Sequence, residues 1–501
     1  MYVKNTIASL IILATTVSAN DITISDNSFR TTYEKITIHP DEEVGLIGIN
    51  YLTHKNNFYY GMGLYGALEG TKGGFFSGGI TGGYQYPIFD NILFDTGAFI
   101  GGGTGDGEDQ FGDGVMTRAH AGLLYDAKSY QVGVSLSNVT FPGSKSNSNQ
   151  ISFQYSVPFQ MVSTSLTDTQ SIYKALKNSY NYNFGWRKQY IATTIQQYSP
   201  TSKSRKKNGT SLEETIGLIG FEYGQYFTNN AFAFLEASEA YSGDVAGYAE
   251  VLGGLGYDWP LNSSFDFKTK VSVGSAGGSG VDVQGGLLAK ANLGLYYKAN
   301  KRITLGVEQG YVDAPDGNFS ALNTKFVLAY NFKTLSLGAN LNPIKNFKGA
   351  SSKLWRMRVG VERYMASSSI RTSKRNASVD LAVFKFDRFL DDNFYVTGQG
   401  FGAIRGDVSG YGGGLLGMGY QTNPFIGNLS AYTELLVGPG GAGGVSTGDG
   451  LLGHPMIGLN YKINKSVDFQ VGLGYVKSLS DGTLDTPVLD AGFVYKFNTI
   501  E

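Results

Sequence analysis

Three stretches of this chain align without a gap, and that periodicity limits the fold more than any single motif. They are Gly114–Tyr125 (GVMTRAHAGLLY), Gly286–Tyr297 (GLLAKANLGLYY) and Gly450–Tyr461 (GLLGHPMIGLNY). Other landmarks keep step with them. Val44-Gly45-Leu46-Ile47-Gly48 matches Ile216-Gly217-Leu218-Ile219-Gly220. A Gly-Tyr pair followed closely by Pro recurs at Gly83, Tyr84 and Pro87, at Gly256, Tyr257 and Pro260, and at Gly419, Tyr420 and Pro424. A glycine-rich run precedes each aligned stretch, at 101–114, 274–286 and 438–450. Self-similarity at so long a period marks each repeat as one structural unit. The repeats fall at 28–162, 182–341 and 352–497, with Trp186-Arg187 and Trp355-Arg356 as matching starts of the second and third. Residues 163–181 form a linker, and 168–180 carry a weak helical period.

Within the repeats the apolar period is two, so each strand has one apolar face. Leu287, Ala289, Ala291, Leu293, Leu295 and Tyr297 oppose Lys290, Asn292 and Lys298. Ile303, Leu305, Val307 and Tyr311 oppose Thr304, Gly306, Glu308 and Gly310. Each repeat reads as about eight strands. In the second they are expected near 186–198, 215–227, 231–242, 246–259, 265–274, 286–298, 303–313 and 321–332. The connections alternate. Short turns are expected at 53–57, 126–129, 228–230, 298–302 and 462–466. Longer loops are expected at 101–114, 142–148, 200–214, 274–284 and 438–450.

Only 16% of the residues are charged, against about 25% in an ordinary soluble domain. A mean hydropathy of −0.13 excludes a bundle of transmembrane helices. The chain has no Cys, which excludes disulfides and thiolate metal sites. Its net charge of −1 argues against a global nucleic-acid binder. Residues 1–19 read as a secretory signal: Lys4, then a mostly apolar run from Ile7 to Val17, then the small-residue site Val17-Ser18-Ala19. That apolar run is too short to span a bilayer, which takes ~20 residues. Any membrane the exported chain spans is therefore crossed by strands.

The stretch Val488–Phe497 carries Leu489, Ala491, Phe493, Tyr495 and Phe497 on one face and Asp490, Gly492 and Lys496 on the other. The order Asp490, Gly492, Tyr495, Phe497 resembles the assembly signal of outer-membrane barrels, although Asn498–Glu501 follow where that signal usually ends on the aromatic. With the signal segment, the strand pattern and the loop asymmetry, the chain resembles Gram-negative outer-membrane β-barrel proteins. The resemblance covers nearly all of the chain after residue 19 and is to the class alone. It implies an all-β fold, an antiparallel transmembrane barrel of three tandem repeats, in an outer membrane of a Gram-negative bacterium. It also implies outer-membrane lipid and the barrel assembly machinery as partners. The function implied is a porin-like channel for passive diffusion of polar solutes, with no enzymatic activity and no cofactor. The alternatives are a structural or adhesive surface protein of three filled eight-stranded barrels, and a soluble secreted β-repeat protein.

One barrel of about 24 strands and three of eight both satisfy this topology, since an even count returns the chain to the same side. Two observations favour one wide barrel. Only the third repeat carries the full assembly signal; the second ends with Val327 at the Gly492 position. The inward faces also hold much glycine (Gly306, Gly310, Gly472, Gly474), which would fill a narrow bore poorly.

Candidate chemistry is sparse. No nucleophile motif, metal-ligand cluster or phosphate loop stands out, and the glycine-rich runs read as mobile loops. Arg118, Lys290 and His454 occupy the same position in the three aligned stretches and should face inward. They would either bias a lumen toward anions or pair with Asp95, Glu308, Glu434 or Asp468. Asp106, Glu108, Asp109 and Asp113 form an acidic loop, a calcium candidate without the full spacing of a known calcium motif. Lys203, Arg205, Lys206 and Lys207 form a basic loop that would be solvated or meet lipopolysaccharide phosphate.

Overall fold

The computed structural model describes residues 22–103, 105, 108–178, 182–337, 347 and 349–501. The signal segment expected over 1–19 lies outside them. Twenty-four antiparallel strands make up nearly all of the fold. The first eight are β1 (Ile22–Ile38), β2 (Glu42–Lys55), β3 (Phe58–Glu69), β4 (Phe76–Phe89), β5 (Ile92–Gly103), β6 (Val115–Asp126), β7 (Gln131–Thr140) and β8 (Asn147–Thr164). A one-turn helix α1 (Glu108–Phe111) sits between β5 and β6. The helix α2 (Thr169–Asn178) follows β8, in the stretch where the helical period was read.

The second eight are β9 (Phe184–Pro200), β10 (Ile216–Tyr226), β11 (Ala231–Ser242), β12 (Ala249–Pro260), β13 (Phe265–Gly277), β14 (Leu287–Lys298), β15 (Ile303–Asp313) and β16 (Ser320–Leu337). The last are β17 (Ser352–Ser367), β18 (Ala377–Phe389), β19 (Phe394–Arg405), β20 (Gly412–Gln421), β21 (Leu429–Gly441), β22 (Leu451–Lys462), β23 (Val467–Ser478) and β24 (Asp485–Ile500).

The ladder closes three times, which corrects the expectation of one wide barrel. β8 returns to β1, from Ile22 opposite Thr164 to Glu34 opposite Ser152. β16 returns to β9, from Phe184 opposite Leu337 to Pro200 opposite Ala321. β24 returns to β17, from Ser352 opposite Ile500 to Tyr364 opposite Val488. A wide barrel would instead run full ladders from β8 to β9 and from β16 to β17. The glycine argument for a wide bore failed for a steric reason. Side chains from nearby strands lie over the inward glycines. A Cβ on Gly306 would sit 2.5 Å from the Tyr296 ring, and one on Gly472 would sit 2.3 Å from the Tyr432 hydroxyl. The glycine of each recurring Gly-Tyr pair does the same: Gly83 lies under Tyr59, Gly256 under Phe232 and Gly419 under Tyr395.

The outward rows are apolar and uncovered. Leu136 keeps 72% of its surface and Ile457 61%, with Val134, Ile151, Leu293, Val307, Phe326, Leu435 and Leu473 on similar rows. Charged side chains occupy the opposite, inward rows. This inversion of a soluble protein suits a hydrocarbon surround.

The three units meet head to tail. The third strand of each packs on the fifth strand of another at the loop end: β3 on β13, β11 on β21, and β19 on β5. Glycine permits the approach, as it does between close-packed membrane segments. The Gly73 amide donates to the Gln284 carbonyl at 2.8 Å, and Gly410 to Gly103 at 3.0 Å. A Cβ on Gly247 would fall 2.7 Å from Ala442. The glycine-rich runs read as mobile loops are thus largely strand ends and tight turns seated against the next barrel. A bulge recurs beside each contact, where the ladder slips between Gly45 and Leu46, Gly217 and Leu218, and Asp380 and Leu381. At the turn end the units share an apolar hub of Val162, Ile172, Leu176, Phe184, Leu335, Ala350 and Ile500. Only isolated ladder contacts cross there: Met161 with Ser336, Thr164 with Asn498 and Ser163 with Thr499.

If glycine sets this packing, Gly402→Leu, whose Cβ would fall 2.8 Å from the Gly103 Cα, should lower stability by about 1–3 kcal/mol in urea unfolding from micelles. Gly253→Leu, with open space at its Cβ, should change it by less than about 0.5 kcal/mol.

Candidate functional site

The candidate site is the interior of the three barrels, because charge is concentrated there. An eight-stranded barrel has a bore just wide enough for side chains. Its inward charges therefore meet across the lumen.

In the first barrel Arg30 on β1 forms a two-pronged pair with Asp95 on β5, diametrically opposite, at 3.2 Å for each arm. Arg118 on β6 reaches Glu34 on β1 at 2.6 Å. His120 lies between the two pairs: its Nε2 is 2.8 Å from Asp95 and its Nδ1 2.8 Å from Arg118 Nη1. The guanidinium can only donate, so Nδ1 accepts. That assigns His120 as the neutral tautomer, with Nε2–H donating to Asp95. Ser137 donates to Glu34 as well.

The second barrel holds a lattice of four glutamates and three lysines. Lys325 on β16 touches Glu222 on β10 at 2.8 Å and Glu236 on β11 at 2.9 Å. Lys270 joins Glu222 at 2.7 Å to Glu308 at 2.8 Å. Lys290 joins Glu236 at 3.1 Å to Glu250 at 2.5 Å. Tyr190, Tyr198 and Tyr296 donate to Glu222, Glu250 and Glu308. Toward the turn end Lys268 pairs with Asp258 at 3.0 Å and lies 4.7 Å from the centre of the Tyr296 ring. Cations over ring faces are stabilised by the ring quadrupole.

The third barrel repeats the principle with other residues. Arg358 on β17 contacts Glu434 on β21, again diametrically opposite, at 2.5 Å and Asp387 at 2.6 Å. Arg356 pairs with the same Asp387 at 2.8 Å. Lys385 lies 3.4 Å from both Glu362 and Glu434. Apart from Asp258, which is half-buried, these charged groups are buried; Lys325 has no accessible surface at all. Loop residues close the outer mouths with apolar clusters: Phe75, Phe111 and Phe141 in the first barrel, Val245, Tyr248, Val281 and Phe319 in the second, and Ile370, Tyr411, Val445 and Leu484 in the third.

Arg118, Lys290 and His454 all project into lumens, but with partners other than those expected. Arg118 takes Glu34, Lys290 takes Glu236 and Glu250, and His454 has Glu362 at 3.6 Å while its Nδ1–H donates to the Tyr475 carbonyl. The expected acids pair elsewhere: Asp95 with Arg30, Glu308 with Lys270, Glu434 with Arg358, and Asp468 with Lys496. Asp490 accepts from Gln470 inside the third barrel at 2.7 Å, and Gly492 lies opposite Gly360. Tyr495 and Phe497 lie on the outer face, opposite Met357 and Trp355.

Asp106 and the side chains of Glu108 and Asp109 lie outside the described residues. The basic loop is partly tied down. Lys206 pairs with Asp244 at 3.3 Å, and Lys207 reaches the Gly73 carbonyl of the first barrel at 3.3 Å. The Trp-Arg landmarks are not equivalent, since Arg356 turns inward to Asp387 whereas Arg187 shares the outward row of Gln189 and Ile191. The sequence reading missed Arg30, Glu34, Glu222, Glu236, Lys270, Lys325, Arg358 and Glu362. Their signal was charge recurring on the inward parity of strands in a chain otherwise poor in charge.

No protein-family model matches the chain, and no curated protein matches it. Solved structures with some likeness include the siderophore receptor PirA from Acinetobacter baumannii, at 10% identity over 96% of this chain and 81% of that one, with a TM-score of 0.29. Acinetobacter baumannii OccAB4 matches at 11% identity over 96% and 100%, with a TM-score of 0.23. Pseudomonas aeruginosa OpdQ matches at 9% over 95% and 98%, with a TM-score of 0.21. At such scores the likeness carries no argument about fold or activity.

Removing one partner of a buried ion pair leaves the other charge uncompensated, at about 3–5 kcal/mol. Lys325→Met should therefore destabilise the protein by about that amount in urea unfolding. Lys206→Met, on the exposed loop, should stay within about 0.5 kcal/mol.

Proposed function

We propose that the protein is an outer-membrane β-barrel protein whose three barrels are filled supports, so that it acts as a structural or adhesive surface protein and does not conduct. The observation that carries this reading is the bridging of each bore by direct ion pairs: Arg30–Asp95 in the first barrel, Lys325–Glu236 in the second and Arg358–Glu434 in the third. Water and solutes need a continuous polar path. Here paired side chains bridge the polar centre and the outer mouth is apolar. Passive transport of polar solutes, the activity that one wide barrel would serve, loses the bore it requires.

The uncovered apolar rows support a membrane surround, and the short turns at one end support the usual orientation with longer loops outside. The glycine contacts join the loop ends of all three barrels into one surface. That surface is the part available to an external partner. Assembly would fall to the barrel-insertion machinery, with Asp490, Gly492, Tyr495 and Phe497 as the expected signal. Arg118, Lys290 and His454 are then members of three plugs, with no role as a selectivity ring.

Planar-bilayer recording on the purified protein tests the reading. Insertion without stable current steps is expected. Large, stable steps would overturn it in favour of a channel for polar solutes.

A further inference from the structure

Asn498–Glu501 follow the aromatic on which a barrel assembly signal usually ends, and their contacts reach beyond the barrel they belong to. Asn498 and Thr499 lie opposite Thr164 and Ser163 of the first barrel, and the Asn498 amide donates to the Thr164 carbonyl at 3.2 Å. Thr499 accepts from the Trp355 indole N–H at 3.1 Å. Ile500 is fully buried in the hub. Glu501 exchanges two backbone hydrogen bonds with Ser351, each 2.8 Å. Its carboxylate takes both arms of Arg388, at 2.6 and 2.8 Å.

Arg388 extends these contacts to the second barrel. Its guanidinium lies 5.0 Å from the ring centre of Tyr330, 4.7 Å from Phe332 and 4.8 Å from Trp355. Tyr330 and Phe332 belong to the second barrel, Trp355 and Arg388 to the third. Phe332 and Trp355 also meet directly, with centroids 5.9 Å apart. A guanidinium held among three rings is stabilised by their faces but has lost water. It needs the two-pronged carboxylate to satisfy its N–H groups. The carboxylate is brought there only by the run of residues from 498 to 501, which itself lies along the first barrel. The Ser336–Met161 contact joins the first and second barrels at the same hub.

We propose that residues 498–501 form a latch: they dock only when all three barrels are closed and side by side, and so make the stability of the hub depend on the Arg388–Glu501 pair. Without the latch the third barrel is already closed by the β17–β24 ladder from Trp355 opposite Phe497 to Tyr364 opposite Val488, and the latch lengthens that ladder by Asn498, Thr499 and Ile500 opposite Leu354, Lys353 and Ser352. Its effect is on how the barrels hold together. This inference does not depend on whether the barrels conduct.

Two of the three tryptophans, Trp186 and Trp355, lie in or beside the hub, so tryptophan fluorescence reports the hub while far-UV circular dichroism reports the barrels. The full chain in micelles should show one coincident urea transition by both probes. In Arg388→Gln, and in the milder Glu501→Gln, the fluorescence midpoint should fall by roughly 1 M urea while the dichroism midpoint stays in place. A joint fall of both midpoints would overturn the latch and make the pair an ordinary stabiliser of the third barrel. No change in either variant would overturn it as well.

Discussion

Eight strands close a bore that only side chains can fill, and the rest of this molecule follows from that limit. Most ionisable groups on the inward rows are buried, so they pair with counter-charges on other strands, on the far wall in Arg30–Asp95 and Arg358–Glu434 and on the next strand in Arg356–Asp387. The first barrel uses two arginines with Asp95 and Glu34, the second lysines with four glutamates and Asp258, and the third a mixture. The solutions differ in residue but not in logic. Desolvating so many charges is costly, and such pairs are weak contributors to net stability. They do fix which strand faces which across the lumen, since a one-residue slip would turn every charge toward lipid.

Three such barrels on one chain form a closed ring. A head-to-tail interface generates an open fibre unless the rotation closes. Here the third strand of each unit meets the fifth of another, and the third copy returns to the first. The interfaces are made of the glycine-rich runs and of the bulges on the third strands. At the turn end the last strands β8, β16 and β24 converge on the hub. The barrels are thus held at both ends, while the apolar rows between face outward.

Strand positions and faces were legible because period-two alternation is local. The eight strands expected in the second repeat lie close to those found, from β9 to β16. Closure was not legible, because pairing between residues more than a hundred positions apart leaves no local trace. The inward glycines misled for a related reason: Gly306 looks like empty space until Tyr296 is known to lie over it. The parity of Arg118, Lys290 and His454 was readable from the strand pattern. Their partners were not readable, since Glu34 and Glu236 reach them across the bore from strands far off in sequence. The residues after Phe497 looked like a departure from a pattern, and only the fold gives them neighbours.

The central claim is that the ladder closes after every eighth strand. The chain has no native Cys, so a disulfide can report one strand pair. Ile195 and Phe326 lie opposite one another on β9 and β16, both on the outer face. Facing residues in an antiparallel ladder have Cα separations of about 4.5–5.5 Å, within disulfide reach. In the double variant Ile195→Cys, Phe326→Cys, oxidation of the folded protein should give a quantitative intramolecular disulfide, seen by peptide mapping. A single wide barrel would hold β9 beside β8 and far from β16, so the absence of that disulfide in folded protein would contradict the account.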